Sequence, residues 1–123
     1  MNSNPVVWFE VYVADMARAR KFYEKVFTLR LERLDSPDPE MWAFPGQENG
    51  AGACGALVRM EGCPPGGGGT LVYFSCDDCA EQAGRAAANG GHIVRDKFAI
   101  GQYGFISLVA DTEGNVIGLH SMR

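Results

Sequence analysis

The sequence repeats one pattern at a constant offset of 63 residues, and this repeat constrains the fold more than any other feature of the chain. Without a gap, WFEVYVADM (8–16) aligns with LVYFSCDDC (71–79), and CGALVRM (54–60) aligns with IGLHSMR (117–123). Few residues are identical, but the order of apolar and polar positions is kept. The chain is therefore predicted to contain two copies of one supersecondary unit.

Each copy opens with a strand that leads into a helix. Residues 7–13 alternate between an apolar and a mixed face, which is the two-residue period of a half-buried strand, and 70–76 repeat it. Asp15 and Asp78 follow these strands and are placed to cap a helix. Apolar residues then recur at helical spacing in 19–27 of the first copy. A strand and a helix are thus predicted at the start of both units.

Three short strands are predicted after each helix. They lie near 29–35, 41–45 and 54–60 in the first copy and near 92–98, 104–110 and 115–121 in the second. The unit is therefore βαβββ, and the fold class is α+β. A single domain over 1–123 is expected, with module 1 at about 5–62, a Gly/Pro linker at 63–69 and module 2 at about 70–123.

Composition and charge narrow the classes of partner. The chain has 123 residues, is 46% hydrophobic and carries a net charge of −4, with no run of lysine or arginine. This balance argues against nucleic acid and against an anionic membrane surface. No apolar run has the length of a membrane span, and no signal-peptide pattern opens the chain. We therefore expect a cytoplasmic protein, with no membrane association, whose partner is a small molecule or another protein.

Three segments carry a resemblance to a known superfamily. These are FYEKVF (22–27), IGQYGF (100–105) and the closing DTEGNVIGLHS (111–121), set in the paired βαβββ pattern. The whole chain resembles the vicinal oxygen chelate superfamily of glyoxalases, bleomycin-resistance proteins and extradiol dioxygenases, and within it small proteins related to lactoylglutathione lyase. The resemblance implies two modules that form an eight-stranded, incompletely closed, barrel-like sheet with a site on its concave face. It also allows a homodimer.

The same resemblance implies where a metal would bind. Metal-using members carry a His, Gln or Glu ligand on the first and fourth strand of each module. In this sequence the positions fall at Trp8, Gly55, Leu71 and Gly118, where Gly55 is placed by the repeat offset. Zinc, nickel and iron take imidazole or carboxylate ligands, which none of these residues has. We therefore predict no metal and no other cofactor.

The period of two on each strand then selects the side chains that share a face with these four positions. Glu10 and His120 are predicted to face one another there, as an acid/base pair or as anchors for a ligand. For Glu10 the alternative is a solvated carboxylate, and for His120 it is a histidine bonded to backbone. The 99–104 loop is expected to close over the mouth of the site. The predicted ligand-binding residues are Trp8, Tyr12, Leu57, Arg59, Leu71, Tyr73, Gln102 and Tyr103.

The preferred function is the binding of a small aromatic or amphiphilic molecule without a metal. One alternative is a lyase or isomerase that uses Glu10 and His120 in acid–base chemistry or holds a relocated divalent metal. Another is an interaction module. Cys76 and Cys79 have the spacing of a redox or zinc motif, but the two aspartates between them disfavour a thiolate. The four cysteines of the chain are expected to be reduced thiols.

Overall fold

The predicted order of elements occurs twice in the computed structural model, which describes residues 6–36, 38–47, 49–67 and 70–123. The first copy consists of β1 (Trp8–Tyr12), α1 (Met16–Phe27), β2 (Glu32–Arg33), β3 (Glu40–Ala43) and β4 (Cys54–Arg59). The second consists of β5 (Tyr73–Ser75), α2 (Cys79–Ala88), β6 (His92–Ala99), β7 (Phe105–Ala110) and β8 (Val116–Ser121). A 3₁₀ turn, Gly101–Tyr103, lies between β6 and β7. The α+β class and the repeated βαβββ unit are confirmed.

Each copy forms its own four-stranded mixed sheet. The strand order is β1-β4-β3-β2 in the first and β5-β8-β7-β6 in the second. The first strand of each copy is parallel to the fourth, whereas the other neighbours are antiparallel. Strands β1 and β5 are therefore both edge strands. Among the described residues the two sheets do not close into a barrel, which agrees with the expected open arrangement.

Both predicted caps are present. The Asp15 side chain accepts a hydrogen bond from the Arg18 backbone N–H, and the Asp78 side chain accepts one from Ala80. These bonds satisfy donors that would otherwise be unpaired in the first turn of each helix. Neither α1 nor α2 is long and apolar enough to cross a membrane, within the ranges that the structure describes.

The core lies between the helices and the sheets, and aromatic rings connect the two copies inside it. Phe74 of β5 stacks on Phe27 of α1 with 4.7 Å between ring centroids, and it meets Phe9 of β1 edge-on at 6.0 Å. Trp42 and Phe44 of the first copy also pack against the core. Burial of these rings from both copies in one cluster holds the modules together.

The turn between β7 and β8 makes a second, polar connection between the copies. Glu113 accepts hydrogen bonds from the backbone N–H groups of Ala14 and Asp15, both at 2.9 Å, and from the Arg18 guanidinium at 2.7 and 2.8 Å. Thr112 Oγ1 donates a further bond at 2.8 Å. Burial alone would raise the pKa of Glu113, but these donors outweigh it and lower the pKa to about 2.

Two more residues of this turn reach the first copy. Tyr23 of α1 donates to Asp111 at 2.7 Å inside the core, and Asn115 Nδ2 donates to the Tyr12 carbonyl at 2.8 Å. The carboxylates of DTEGN (111–115) are thus used to join the modules. They are structural groups of the interface between the copies.

Candidate ligand-binding site

Strand β1 presents three polar or aromatic side chains on the face opposite the core. Trp8, Glu10 and Tyr12 alternate with residues that pack inward, and Trp8 is 41% exposed. The Glu10 carboxylate accepts a hydrogen bond from Trp8 Nε1 at 3.2 Å and another from the Tyr12 hydroxyl at 2.7 Å. The bond to Glu10, with a smaller contribution from burial, raises the pKa of Tyr12 to about 12. We call these three side chains the β1 triad.

Strand β5 and the segment that leads into it face the β1 triad with apolar and aromatic surface. Leu71 is 39% exposed and Tyr73 is 47% exposed. Phe74, the next residue of β5, packs against the core instead. Tyr73 pairs with Gly118, and a Cβ placed on Gly118 would clash with the Tyr73 ring. The glycine therefore leaves the space that this ring occupies.

A cavity of about 460 Å³ separates the edge strands β1 and β5. Its walls include Trp8 and Glu10 on one side and Leu71 and Tyr73 on the other. A second cavity of about 400 Å³ continues from it toward Tyr12 and the β7–β8 turn, and the two share Glu10, Thr70 and Val72. We call the two together the inter-module cleft. Their volumes fall within the range of small-molecule sites, roughly 300–1,000 Å³.

The placement predicted for Leu57 is wrong. In β4, Leu57 pairs with the core residue Val11 and is fully buried, so it packs against the helices and not in the cleft. Gly55 also lies on the core side, because its partner is Phe9. The reason is the register: Glu10 pairs with Ala56, whereas Tyr73, its equivalent, pairs with Gly118.

The offset between β4 and β8 is therefore 62 residues (118 − 56), one fewer than between β1 and β5. A shift of one residue moves every side chain of a strand to the other face. The residues of β4 that share a face with the β1 triad are Cys54, Ala56 and Val58.

Arg59 is displaced from the predicted site for the same reason. It follows Leu57 by two residues and so leaves β4 on the core side. Its Nε donates to the Ala14 carbonyl at 3.2 Å, next to the N-terminus of α1. Arg59 lines a different cavity, around 59–65, and neither part of the inter-module cleft.

His120 is on the predicted face of its sheet but is held by the backbone. It pairs with Ser75 in β5 and lies two residues beyond Gly118. Its Nε2 is 2.6 Å from the Tyr103 carbonyl, which can only accept, so this nitrogen carries a proton. Gln102 and Tyr103, expected to close over the mouth, are exposed in the 3₁₀ turn beside His120.

The structure does not bring Glu10 and His120 together. The carboxylate is bonded within the β1 triad and the imidazole to Tyr103, and His120 is absent from the walls of both cavities that contain Glu10. Among the described residues, the predicted pair thus shares neither a hydrogen bond nor the lining of either cavity. The geometry favours the backbone-bonded alternative for His120.

A family model described as the Glyoxalase/Bleomycin resistance protein/Dioxygenase superfamily matches residues 6–119. The chain belongs to this superfamily. The match covers the first βαβββ copy and all of the second except the last two residues of β8. The predicted resemblance is confirmed at the level of the family.

Similar proteins include both single-length and longer chains. CFP32 of Mycobacterium tuberculosis, a protein named as a glyoxylase, is 27% identical over 118 residues, which are 91% of this chain and 43% of CFP32. Glyoxalase I from Zea mays has a TM-score of 0.73 at 21% identity, over 96% of this chain and 46% of that one. TnmS3, an antibiotic binding protein from Streptomyces sp. CB03234, has a TM-score of 0.68 at 24% identity, over 98% of both chains.

Coverage differs sharply between these proteins. The chain spans less than half the length of CFP32 and of the maize enzyme, whereas it spans nearly all of TnmS3. At these identities the structural matches establish the fold.

The residues at the superfamily's metal positions do not fit a metal. With the corrected register these positions hold Trp8, Ala56, Leu71 and Gly118, none of which has a ligating side chain. In the ranges that the structure describes, no group of three or more His, Cys, Asp or Glu side chains is arranged to hold an ion. We therefore derive no chemistry that passes through a metal.

The cysteine pair at the start of α2 lacks the character of a reactive site. Burial raises the pKa of Cys76 to about 11, which leaves the thiol protonated at neutral pH. Cys79 is fully buried against the core, and none of the four cysteines forms a disulfide. The two residues are explained by packing.

Sequence reasoning missed two residues that line both parts of the cleft, Thr70 and Val72. The alternation of β5 assigns Val72 to the core side, and that assignment ignores the open edge of the strand. Because β5 is an edge strand beside a second edge strand, its backbone and neighbouring residues border the space between the sheets. The signal that could have found them is the predicted position of both first strands at sheet edges.

Proposed function

We propose that this protein binds a small aromatic or amphiphilic molecule in the inter-module cleft without using a metal. The observation that carries the proposal is the cleft itself, a cavity of about 460 Å³ between two edge strands whose walls expose Trp8, Leu71 and Tyr73. Aromatic and aliphatic walls with a few polar groups are typical of small-molecule sites. An isolated exposed tryptophan would not need such an explanation, but three large side chains around one cavity do.

The chemistry of the walls matches the ligand class. Trp8 and Tyr73 offer ring faces for stacking and Leu71 an aliphatic surface, while Glu10 and Thr70 supply polar groups at the same cavity. The name of TnmS3, a single-length neighbour in fold, suggests antibiotic binding for that protein. For this chain, the shared fold and the absence of fitting metal ligands among the described residues support a binding role of the same kind.

The enzymatic alternative receives less support. A lyase or isomerase that used Glu10 and His120 would need both groups at one reacting centre, within hydrogen-bond reach of the substrate. The two groups are instead bonded to different partners, Tyr12 and the Tyr103 carbonyl among them. Turnover that depends on an added divalent metal would favour the alternative over the proposal.

The test compares the two tryptophans of the chain, since Trp8 lines the cleft and Trp42 packs in the core under Arg20. We would titrate the protein with 1-naphthylmethanol and follow both indole N–H signals by NMR. The Trp8 signal is expected to shift in a saturable way while the Trp42 signal stays in place. The spectrum of Trp8→Phe should lack the signal that shifts, whereas the spectrum of Trp42→Phe should keep it. A shift of neither signal, or of Trp42 alone, contradicts the proposal.

Two further expectations belong to this proposal. A homodimer is consistent with the exposed apolar side chains of the edge strands, and sedimentation of the purified chain would measure it. A cytoplasmic location stays a prediction from the sequence.

A further inference from the structure

We propose that the inter-module cleft selects a cationic ligand, an aromatic body that carries a protonated amine, and that Glu10 is the residue that determines this specificity. The inference rests on the proposed function and narrows it to one chemical class. Three features of Glu10 carry it: its position at both parts of the cleft, the lack of a cationic partner among the described residues, and its aromatic surroundings.

Glu10 is the only charged side chain among the described residues that line the cleft. It borders the cavity of about 460 Å³ and the cavity of about 400 Å³, and the other lining residues of both are apolar or uncharged. A ligand in either part therefore meets one charge, and that charge is negative. The opposite charge on the ligand is the complement that this arrangement favours.

Among the residues that the structure describes, Glu10 has no cationic partner. The ion pairs of the described residues involve four other carboxylates, which are Glu113, Glu24, Glu40 and Asp78. Arg59, the cation that the sequence placed beside this site, is on the other side of β4 and binds the Ala14 carbonyl. A bound molecule that buried Glu10 without supplying a positive charge would leave a carboxylate unpaired, which is costly.

The carboxylate also has room to accept more hydrogen bonds. Trp8 donates to Oε2 and Tyr12 to Oε1, so each oxygen has used one of about two acceptor positions. These two bonds fix the carboxylate while they leave sites for an ammonium group. A neutral hydroxyl could use the same acceptors, but bonds between charged groups are stronger.

The aromatic side chains around Glu10 favour the same ligand. Trp8 and Tyr73 line the cavity with Glu10, and Tyr12 lines the adjoining one. Ring faces attract cations through their quadrupoles and also stack on the aromatic body of a ligand. The cleft thus combines a fixed anion with rings, which is the combination that a protonated aromatic amine needs.

The experiment uses three probes with one ring system and different charge: 1-naphthylmethylamine as the cation, 1-naphthylmethanol as the neutral form and 1-naphthoate as the anion. Binding is measured by the shift of the Trp8 indole signal at neutral pH. In the unmodified chain the amine should bind about 10-fold more tightly than the alcohol, and the anion should bind least. Added salt should reduce the preference for the amine.

Three variants separate the charge from its surroundings. Glu10→Gln keeps the shape and an acceptor for Tyr12, and it should bring the amine and the alcohol to within about twofold of each other. Glu32→Gln removes the same charge from an exposed position on β2 and should leave the preference unchanged. Tyr12→Phe keeps the Glu10 charge and should keep most of the preference. Circular dichroism of each variant confirms that it is folded.

The outcomes distinguish this inference from the proposed function. If the alcohol shifts Trp8 but the amine binds no better, the charge selectivity is wrong and the binding function stands. If Glu10→Gln retains the preference, Glu10 is not its determinant and the inference is overturned. If no probe shifts Trp8, both are rejected.

Discussion

The two modules present unlike walls to the same cleft. Strand β1 contributes a hydrogen-bonded carboxylate between two aromatic side chains, whereas the β5 wall, with Leu71 and Tyr73, carries no charge. The backbone plan of the two strands is the same, since each is an edge strand parallel to the fourth strand of its module. At the cleft the two copies thus differ in their side chains, and the result suits a ligand with a polar and an apolar side.

The glycines of the two modules show how misleading the repeat can be. Gly55 and Gly118 match in the sequence, but Gly55 makes room for the core ring of Phe9 and Gly118 for the cleft ring of Tyr73. One position therefore supports packing and the other shapes the site. The comparison between the modules can be tested position by position.

The largest effect on stability is expected from a comparison of Leu57 and Leu71, which the sequence analysis placed together in the ligand site. Leu57→Ala should lower the free energy of unfolding by about 2–5 kcal/mol, because Leu57 is fully buried and its loss leaves a cavity. Leu71→Ala should lower it by about 0.5 kcal/mol, because Leu71 is 39% exposed. Urea unfolding measures both, and similar losses for the two variants would contradict the corrected register of β4.

The hydrogen bonds of Glu113 that join the two modules should weaken in acid. Glu113 has a pKa lowered from 4.5 to about 2, so its contribution is present above about pH 4.5 and is lost as the pH falls toward 2. The contribution is on the order of 3 kcal/mol. Glu113→Gln should lose that stability at neutral pH and show a flatter pH dependence between these limits.

The matched control for Glu113→Gln is Glu10→Gln, which removes a carboxylate that does not connect the modules. Glu10 accepts its bonds from Trp8 and Tyr12 within one strand and so does not connect the modules. The free energy of unfolding of this variant should stay within about 0.5 kcal/mol of that of the unmodified chain at neutral pH. An acid dependence that is unchanged in Glu113→Gln would show that another group joins the modules.

The next largest effect on the free energy of unfolding is expected for Gly55 and Gly118. Gly55→Ala should lower the free energy of unfolding by about 3 kcal/mol, because the new Cβ meets the Phe9 ring inside the aromatic cluster. Gly118→Ala should cost about 1 kcal/mol, because the half-exposed Tyr73 ring can turn away into the cleft. Gly118→Ala should also weaken binding of 1-naphthylmethanol. Equal destabilisation without a change in binding would remove the functional distinction between the modules.

The sequence predicted those parts of the fold that depend on local patterns. The alternation in β1 and β5 and the caps at Asp15 and Asp78 were all readable, because each depends on residues within a few positions of one another. The wall residues Trp8, Leu71 and Tyr73 followed from the same alternation. Their role in binding stays a prediction.

The sequence did not show which residues of β4 share a face with the β1 triad, and the reason is physical. Ala56, Leu57 and Val58 are consecutive and fully buried, so this strand has no polar side to mark which residues face the cleft. Only the repeat offset remained as a guide, and the two copies differ by one residue between the first and fourth strands. The connections of Glu113 were also hidden, because its donors at Ala14 and Asp15 are about a hundred residues away in the chain.

The smallest effect is a titration, and it tests whether the β1 triad exists in solution. The hydrogen bond from Tyr12 to Glu10 is the main cause that raises the pKa of Tyr12 to about 12. Its stabilising contribution is therefore complete below about pH 10 and is lost as the pH rises toward 12.

Glu10→Gln removes the carboxylate, so the pKa of Tyr12 should fall toward its usual value of about 10. NMR of the Tyr12 ring between pH 9 and 11 would follow this change, with Tyr12→Phe to assign the signal. A Tyr12 signal that titrates near pH 10 in both proteins would mean that the carboxylate is not held by this bond, and the charged wall would then lose the fixed geometry that sets it apart from its apolar counterpart.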